Sequence, residues 1–134
     1  MKPDYAKSYC NLGVILQQLG KFDEAEASYK KAIELKPNFT EAHYNLGNTL
    51  KMLDRLEDAE ASYKKVIELK PDSAEAYSKL GNILVIFGKL DEAEVRYKKA
   101  IELKPDYAEA KHLLAALTGE TTNSPPREYV EKLF

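Results

Sequence analysis

The side chains that could do chemistry are few in this chain, and they do not cluster. Two histidines, His43 and His112, lie far apart in the sequence, and Cys10 is the single cysteine. No Cys/His spacing typical of a zinc site is present, and no two glycines form the Gly-x-Gly of a phosphate-binding loop. The acidic residues are spread along the chain without a converging pair. We therefore expect no catalytic residue, no metal and no cofactor in this segment.

Charge and hydropathy weigh against two classes of partner. The formal net charge is −2, so no overall positive field would attract nucleic-acid phosphates. No apolar run approaches the roughly 18 residues of a membrane span, and the first residues lack the apolar region of a signal peptide. A lone cysteine cannot form an internal disulfide, which is typical of a cytoplasmic chain. We expect a cytoplasmic protein that binds neither nucleic acid nor membranes.

The most regular feature of the sequence is a block that occurs three times. The block reads DEAEASYKKAIELKP at 23–37, EDAEASYKKVIELKP at 57–71 and DEAEVRYKKAIELKP at 91–105. The step between copies is 34 residues. A repeat of this length indicates a helix-turn-helix unit that stacks on its neighbours.

Each repeat is expected to contain two helices. A proline should end each second helix, because it lacks the backbone N–H and restricts the preceding residue: Pro37, Pro71 and Pro105. The first helices are then predicted at about 5–19, 39–53, 73–87 and 107–117. The residue after each proline should cap the next helix, with a glutamate at the capping-box spacing: Asn38 with Glu41, Asp72 with Glu75, and Asp106 with Glu109.

Glycines recur at two positions of the repeat. Gly13, Gly47 and Gly81 fall inside the first helices, where a glycine costs about 1 kcal/mol and usually permits close helix–helix approach. Gly20 and Gly88 fall at the turn to the second helix, where a left-handed residue is expected. The middle repeat has Asp54 at this position, and aspartate tolerates that conformation less well. This turn is predicted to be the weakest.

The second helices combine an apolar stripe with paired charges. The stripe of the first copy is predicted to bury Ala25, Tyr29, Ala32, Ile33 and Leu35. Glutamate and lysine stand four residues apart in each copy, in the favourable order: Glu26 with Lys30, Glu60 with Lys64, and Glu94 with Lys98. The adjacent lysine pairs could attract an acidic partner, but a solvated face balanced by glutamate is the favoured interpretation.

These residues resemble the tetratricopeptide repeat (TPR) family. The Leu-Gly of the first helix, the alanine and tyrosine of the second and the final proline all occur at the family's spacing. The resemblance implies an all-α fold, a right-handed superhelical solenoid of antiparallel helix pairs. Its expected parts are full repeats at 6–39, 40–73 and 74–107, the first helix of a fourth at 108–118, and a loop with a short capping helix at 119–134.

The resemblance also implies a concave groove, lined by the first helices, that binds extended or helical peptides. The implied groove residues are Lys7, Cys10, Asn11, Val14 and Gln17 in the first repeat, Glu41, Tyr44, Asn45, Asn48 and Lys51 in the second, and Glu75, Ser78, Lys79, Asn82 and Val85 in the third. Helical spacing places such positions on one face. These positions vary between repeats, whereas the first two second-helix blocks differ at only three positions.

The groove residues suit some ligands better than others. Family members that clamp the C-terminal carboxylate of heat-shock chaperones use lysines and asparagines, and only Asn45 and Lys79 match them here. The Asn-Leu-Gly runs resemble repeats of O-linked N-acetylglucosamine transferases, whose asparagines grip peptide backbone. Asn11 and Asn45 fit that ladder, with Asn48 and Asn82 as a second row, or these residues are merely exposed. Val85 and its neighbour Ile86 either pack on the following repeat or form an apolar pocket.

The last residues no longer follow the repeat. The segment 112–134 resembles a linker that joins TPR arrays to S-adenosylmethionine-dependent methyltransferase domains in some bacterial proteins. The sequence therefore predicts a non-catalytic protein–protein interaction scaffold that binds a peptide or partner segment in its groove. Two alternatives stay open: a substrate-recruiting arm of a larger methyltransferase or glycosyltransferase, and a structural array that forms homo-oligomers through its exposed ends.

Overall fold

The structure, a computed structural model, describes residues 4–119 of the chain. Within this range it contains seven α-helices and no strand. The chain divides into two compact units, residues 1–71 and residues 72–134.

Unit 1 contains two helix pairs. Its helices are α1 (Tyr5–Gln18), α2 (Phe22–Leu35), α3 (Thr40–Met52) and α4 (Leu56–Leu69). Helix α1 packs on α2 and α3 packs on α4, while α2 also packs on α3 and joins the two pairs. Short turns connect partners that lie side by side, so each pair is an antiparallel helix hairpin.

Within its described residues, 72–119, unit 2 contains one helix pair and a single further helix. Its helices are α5 (Ala74–Ile86), α6 (Leu90–Leu103) and α7 (Ala108–Thr118). Helix α6 packs on both α5 and α7. The predicted all-α class and its helix pairs are confirmed, and the observed helix ends lie within a residue or two of the predicted ones. The short helix predicted between 119 and 134 lies outside the described residues.

A tyrosine ring beneath a glycine holds the two helices of each repeat together. A Cβ atom placed on Gly47 would lie 2.7 Å from Cε1 of Tyr63, and one on Gly81 would lie 2.7 Å from Cε1 of Tyr97. The corresponding distance from Gly13 to Tyr29 is 2.5 Å. No real Cβ fits at these distances. The predicted close approach at the first-helix glycines is confirmed, and the partner is the tyrosine of the second helix.

The turn between the paired helices uses the left-handed conformation in all three repeats. Gly20 and Gly88 have φ of 77°, and Asp54 has φ of 61°. The expected left-handed residue is therefore confirmed, including at the position that lacks glycine. Asp54 is the one described non-glycine residue with a positive φ.

The predicted caps of the first helices are wrong at three positions. Helices α3, α5 and α7 are preceded by Phe39, Ser73 and Tyr107 rather than by Asn38, Asp72 and Asp106. The reason is a tight turn after each second helix, in which the backbone N–H of Phe39 donates to Lys36 and that of Tyr107 donates to Lys104. This turn moves the helix start by one residue.

Of these three helices, only α5 has a side-chain cap, and no side chain caps α3 or α7. The Ser73 hydroxyl accepts a hydrogen bond from the backbone N–H of Ala76, at 3.2 Å. In the neighbouring turns the lysine ammonium lies over the ring of the first aromatic residue. The distance to the ring centroid is 5.0 Å for Lys36 over Phe39 and 4.9 Å for Lys104 over Tyr107.

The second helices bury most of their predicted stripe. Ala25, Tyr29 and Ala32 are buried and Ile33 is half-buried. Leu35, however, is 47% exposed, so its predicted burial is wrong. Leu35 is the last residue of α2 and lines an open surface cavity together with Tyr5 and Ala6 of α1.

The lysine pairs of the second helices are balanced by glutamates, as favoured. The three Glu–Lys pairs at i,i+4 are formed at 2.7, 3.4 and 2.7 Å: Glu26–Lys30, Glu60–Lys64 and Glu94–Lys98. The second lysine of each pair reaches the glutamate three residues on: Lys31–Glu34, Lys65–Glu68 and Lys99–Glu102. These charges belong to the scaffold.

None of the helices found between residues 4 and 119 combines the length and the apolar character that a membrane span requires.

Candidate functional site

The first-helix face of unit 1 is the surface formed by the predicted groove residues of α1 and α3. Lys7, Asn11 and Glu41 are exposed there, and Val14, Gln17, Tyr44, Asn45, Asn48 and Lys51 are half-buried. Cys10 is 1% exposed, so its side chain does not reach the surface. Nine of the ten residues predicted in this unit are thus accessible to a ligand at least in part.

The first-helix face of unit 2 is the corresponding surface of α5. Glu75 and Val85 are exposed on it, and Lys79 and Asn82 are half-buried. Ser78 is 1% exposed and, like Cys10, is closed to a ligand in this structure. The Glu75 carboxylate lies 3.8 Å from the Lys104 ammonium, so part of its charge is already balanced.

Four polar side chains on these faces take no part in the hydrogen bonds and ion pairs of the fold. No hydrogen bond or ion pair joins the side chains of Lys7, Asn11, Lys51 or Lys79 to another described residue. The lysines of the second helices, in contrast, are paired with glutamates. In this comparison, the side chains without a described partner all lie on the first-helix faces.

Three carboxamides of the first-helix faces are bonded to the buried tyrosines. The Tyr63 hydroxyl donates to Asn48 Oδ1 at 2.6 Å, and the Tyr97 hydroxyl donates to Asn82 Oδ1 at 2.6 Å. In the first repeat Val14 replaces the asparagine. Gln17, one turn further along α1, accepts from the Tyr29 hydroxyl at 2.8 Å instead.

Sequence reasoning missed these bonds. It treated the amides only as ligand-binding or merely exposed groups, whereas each also completes the hydrogen bonding of a core tyrosine. A signal was present: asparagine and tyrosine recur 15 residues apart in the second and third repeats. The first repeat departs from this spacing, which hides the pattern.

Burial raises the pKa of all three tyrosines. The pKa of Tyr97 rises to about 12, mainly through burial and also through the Glu109 carboxylate. Burial likewise raises the pKa of Tyr29 and Tyr63 well above the ordinary value. At neutral pH each hydroxyl keeps its proton and donates it to the carboxamide above.

Cys10 is not poised for nucleophilic chemistry. Burial raises the pKa of its thiol and the Glu41 carboxylate adds to the effect, while a hydrogen bond with Asn45 opposes it. A thiol with a raised pKa holds little of the reactive thiolate. Among the described residues, no group of histidine, cysteine and acidic side chains could hold a metal ion.

An ion-pair cluster on the second-helix side was also missed from the sequence. Glu26 is mostly buried and receives the Arg55 guanidinium at 2.6 Å and the Lys30 ammonium at 2.7 Å. Burial alone would raise the pKa of Glu26, but the hydrogen bonds from Lys30 and Arg55 outweigh it and leave the pKa below the ordinary value. This cluster joins α2 to the turn before α4, so it stabilises unit 1.

Two apolar residues at the end of α5 remain accessible. Val85 is 38% exposed and Ile86 is 53% exposed, so part of each side chain can meet a ligand. Both interpretations of this pair, packing on the following repeat and an apolar pocket for a ligand, stay predictions.

Family models identify the repeats independently. A tetratricopeptide repeat model matches residues 6–39 and 40–73, more than half of the chain in total. Further models of the same repeat match residues 81–119 and 62–95. The chain belongs to the tetratricopeptide repeat family, whose units stack into helical solenoids.

Solved structures of similar fold include peptide-binding domains. The first TPR of Spaghetti (RPAP3), bound to the HSP90 peptide SRMEEVD, is 25% identical, with a TM-score of 0.84 over 89% of this chain and 94% of that chain. The first TPR domain of human RPAP3 is 26% identical, with a TM-score of 0.82 and the same coverage. MamA is 29% identical, with a TM-score of 0.82 over 88% of this chain and 69% of that chain.

A Thermobaculum terrenum O-GlcNAc transferase shares the fold at 23% identity and a TM-score of 0.81. The match covers 95% of this chain and 25% of that one. No curated protein sequence matches the chain.

Proposed function

We propose that this chain is a non-catalytic protein-interaction module that binds an extended peptide or partner segment on its first-helix faces. In unit 1 the contacts come from α1 and α3, through Lys7, Asn11, Asn45 and Lys51. In unit 2 they come from α5, through Lys79, Asn82 and Val85. Cys10 and Ser78 support these faces from below, because their side chains are buried.

The observation that carries the proposal is a difference in pairing between the two kinds of helix: polar side chains are paired on the second helices and several are unpaired on the first. The second helices pair their lysines with glutamates, whereas Lys7, Asn11 and Lys51 on the first helices have no described partner. Unpaired polar groups on ordered helices are available for a ligand at little cost, because the helices that hold them are already fixed by their own packing.

The structural similarity to peptide-binding TPR domains supports the same class of ligand. The RPAP3 domain was solved with a heat-shock chaperone peptide. The ligand of this chain should differ, because Cys10, Val14 and Glu75 stand where chaperone-clamping members carry lysine and asparagine. The interpretation of the chain as the arm of a larger methyltransferase or glycosyltransferase, and its cytoplasmic location, stay predictions of the sequence.

A display selection followed by point variants tests the proposal. Randomised peptides are selected on the full chain, and their affinities are measured by fluorescence anisotropy. Isolated peptides should bind with a dissociation constant of micromolar order, about −8 kcal/mol. The double variant Asn11→Ala with Asn45→Ala should weaken binding about tenfold, since each removes one hydrogen-bonding group.

The matched control is the double variant Lys30→Ala with Lys64→Ala on the second helices. It changes as many side chains but should leave affinity within about twofold, because both lysines lie on second helices, where each is already paired with a glutamate. Selected peptides that bind the asparagine variant as tightly as the unaltered chain would contradict the proposal, as would equal losses in both double variants.

A further inference from the structure

The carboxamides of Gln17, Asn48 and Asn82 are held with their oxygen atoms towards the core. Each oxygen accepts a hydrogen bond from a buried tyrosine: Tyr29 at 2.8 Å, Tyr63 at 2.6 Å and Tyr97 at 2.6 Å. Gln17 Oε1 also accepts from the Thr49 hydroxyl at 3.1 Å, so two donors occupy the same oxygen. The arrangement occurs in both units, twice in unit 1 and once in unit 2.

The tyrosines determine which end of each amide points inwards. A buried hydroxyl whose proton lacks an acceptor loses the free energy of a hydrogen bond, so the hydroxyl must donate. An amide turned the other way would offer N–H groups to a hydroxyl that still needs an acceptor. In the first repeat the reversed amide would leave two hydroxyl protons, those of Tyr29 and Thr49, without one.

The nitrogen atoms of the same amides remain unpaired. No described residue accepts a hydrogen bond from the side-chain nitrogen of Gln17, Asn48 or Asn82, and the three residues are half-buried rather than buried. Each therefore offers two N–H donors to a ligand and no acceptor. Asn11, whose amide has no described partner, can turn either end outwards.

We infer that Gln17, Asn48 and Asn82 act as donor-only contacts, and that a bound polypeptide meets each of them with an acceptor oxygen. The class of ligand rests on the proposed function, whereas the orientation of the amides does not. Either a backbone carbonyl or an acidic side chain supplies such an oxygen. A lysine, arginine or backbone N–H placed at these positions would meet only donors, so it is excluded there. Tyr29, Tyr63 and Tyr97 are positioning residues, because they act through the amides.

A neutron crystal structure of the full chain tests the orientation without any ligand. Neutron diffraction shows deuterium atoms, which X-ray data at ordinary resolution do not. The expected result is a deuterium of the Tyr63 hydroxyl directed at Asn48 Oδ1, with both Nδ2 deuteriums directed outwards. A deuterium of Nδ2 directed at the Tyr63 hydroxyl would overturn the inference.

Isosteric variants test the ligand chemistry with the peptides selected on the unaltered chain. Asn48→Asp and Asn82→Asp replace the outward donor by an acceptor, while the second carboxylate oxygen still accepts from the tyrosine. Affinity should fall about tenfold or more, and the melting temperature should change little. The matched control is Asn11→Asp, which adds the same charge on an amide that no tyrosine holds, and its loss should be smaller.

Salt separates charge repulsion from the loss of a donor. In high salt the repulsion is screened, so the loss in Asn48→Asp should persist while that in Asn11→Asp shrinks. A double-mutant cycle between Asn48→Ala and amide replacement of each acidic side chain of the peptide separates the two sources: coupling identifies a carboxylate, and absence of coupling identifies a backbone carbonyl. Equal losses in both variants at high salt would overturn the inference. A selection that yields no peptide would contradict the proposed function instead, and the neutron structure would still decide the orientation.

Discussion

The buried tyrosines Tyr29, Tyr63 and Tyr97 contact the first helix of their own repeat at two points. The ring lies against a glycine that has no room for a Cβ, and the hydroxyl donates to a carboxamide on the first-helix face. The ring contact fixes the distance between the paired helices, and the hydroxyl fixes the direction of the amide. A residue of the scaffold thereby shapes the surface that we propose binds a ligand.

Replacement of Gly47 by alanine tests the ring contact. The new Cβ would lie 2.7 Å from Tyr63 Cε1, so the helices must separate or the ring must move. Overpacking costs about 1–3 kcal/mol, and alanine returns about 1 kcal/mol of helix propensity. Urea unfolding should therefore show a net loss of up to about 2 kcal/mol.

The control is Ala61→Gly on the exposed surface of α4, which measures propensity alone and should cost about 1 kcal/mol. If Gly47→Ala stabilised the chain by as much as Ala61→Gly destabilised it, propensity alone would explain both variants. The close approach of the helices would then not constrain the repeat.

Cys10 provides a second test at the level of single residues. Its thiol is buried and burial raises its pKa, so a thiol reagent at neutral pH should modify the folded chain slowly. Because the chain has one cysteine, the reaction reports this site alone. Modification should become rapid and complete once urea unfolds unit 1. Rapid modification of the folded chain, at the rate of an unfolded control, would show that the space below the first-helix face is open.

At the level of elements, the repeat is predicted well by its sequence. The proline positions, the apolar spacing and the turn glycines identify the helix pairs, because each follows from backbone geometry that is local in sequence. The caps are predicted less well, since they depend on a turn of four residues, 36–39 and its equivalent at 104–107, whose hydrogen bond moves the helix start. The exposure of Leu35 could not be predicted either, because it depends on what covers the end of α2.

The turn between α3 and α4 is the element at which a single substitution should stabilise the chain. Asp54 has a φ of 61° where Gly20 and Gly88 stand in the other repeats. Asp54→Gly should stabilise the chain by about 0.5–1 kcal/mol, because a left-handed residue with a Cβ is strained. Thermal unfolding measures the gain.

The reciprocal variant Gly20→Asp introduces the strain into the first repeat and should cost a similar amount. If Asp54→Gly proved neutral or destabilising while Gly20→Asp was harmless, strain at this turn would not limit stability.

At the level of the whole chain, the sequence predicts the helical framework better than it predicts the first-helix faces that we propose bind a ligand. The framework repeats with little change, and its buried tyrosines and alanines and its Glu–Lys pairs four residues apart lie where the spacing predicts. The candidate site could be predicted only as a set of positions. The sequence did not show that Cys10 and Ser78 are buried, or that tyrosines hold three of the amides, since both facts depend on side-chain packing between helices.

The tyrosines also predict how stability depends on alkaline pH. Below pH 10 their hydroxyls are protonated in the folded and unfolded chain alike. Above pH 10, the ordinary pKa, the unfolded chain loses these protons, whereas the folded chain keeps that of Tyr97 until about pH 12. Stability is therefore fully present below pH 10 and is lost as pH rises towards 12.

Melting temperatures at a series of pH values, with tyrosinate absorbance in parallel, measure this loss. Tyr97→Phe should reduce the slope, because it removes this hydroxyl from both the folded and the unfolded chain. Titration of Tyr97 near pH 10 in the folded chain would contradict the account.

Chemical-shift mapping by NMR tests the central claim most directly. A peptide selected on the full chain is titrated into the ¹⁵N-labelled protein, and the perturbed amides are assigned. We predict that the shifts concentrate on the first helices, α1, α3 and α5, and include the side-chain amides of Gln17, Asn48 and Asn82. Perturbations confined to the second helices α2, α4 and α6, with the first-helix faces unchanged, would contradict the assignment of the binding surface.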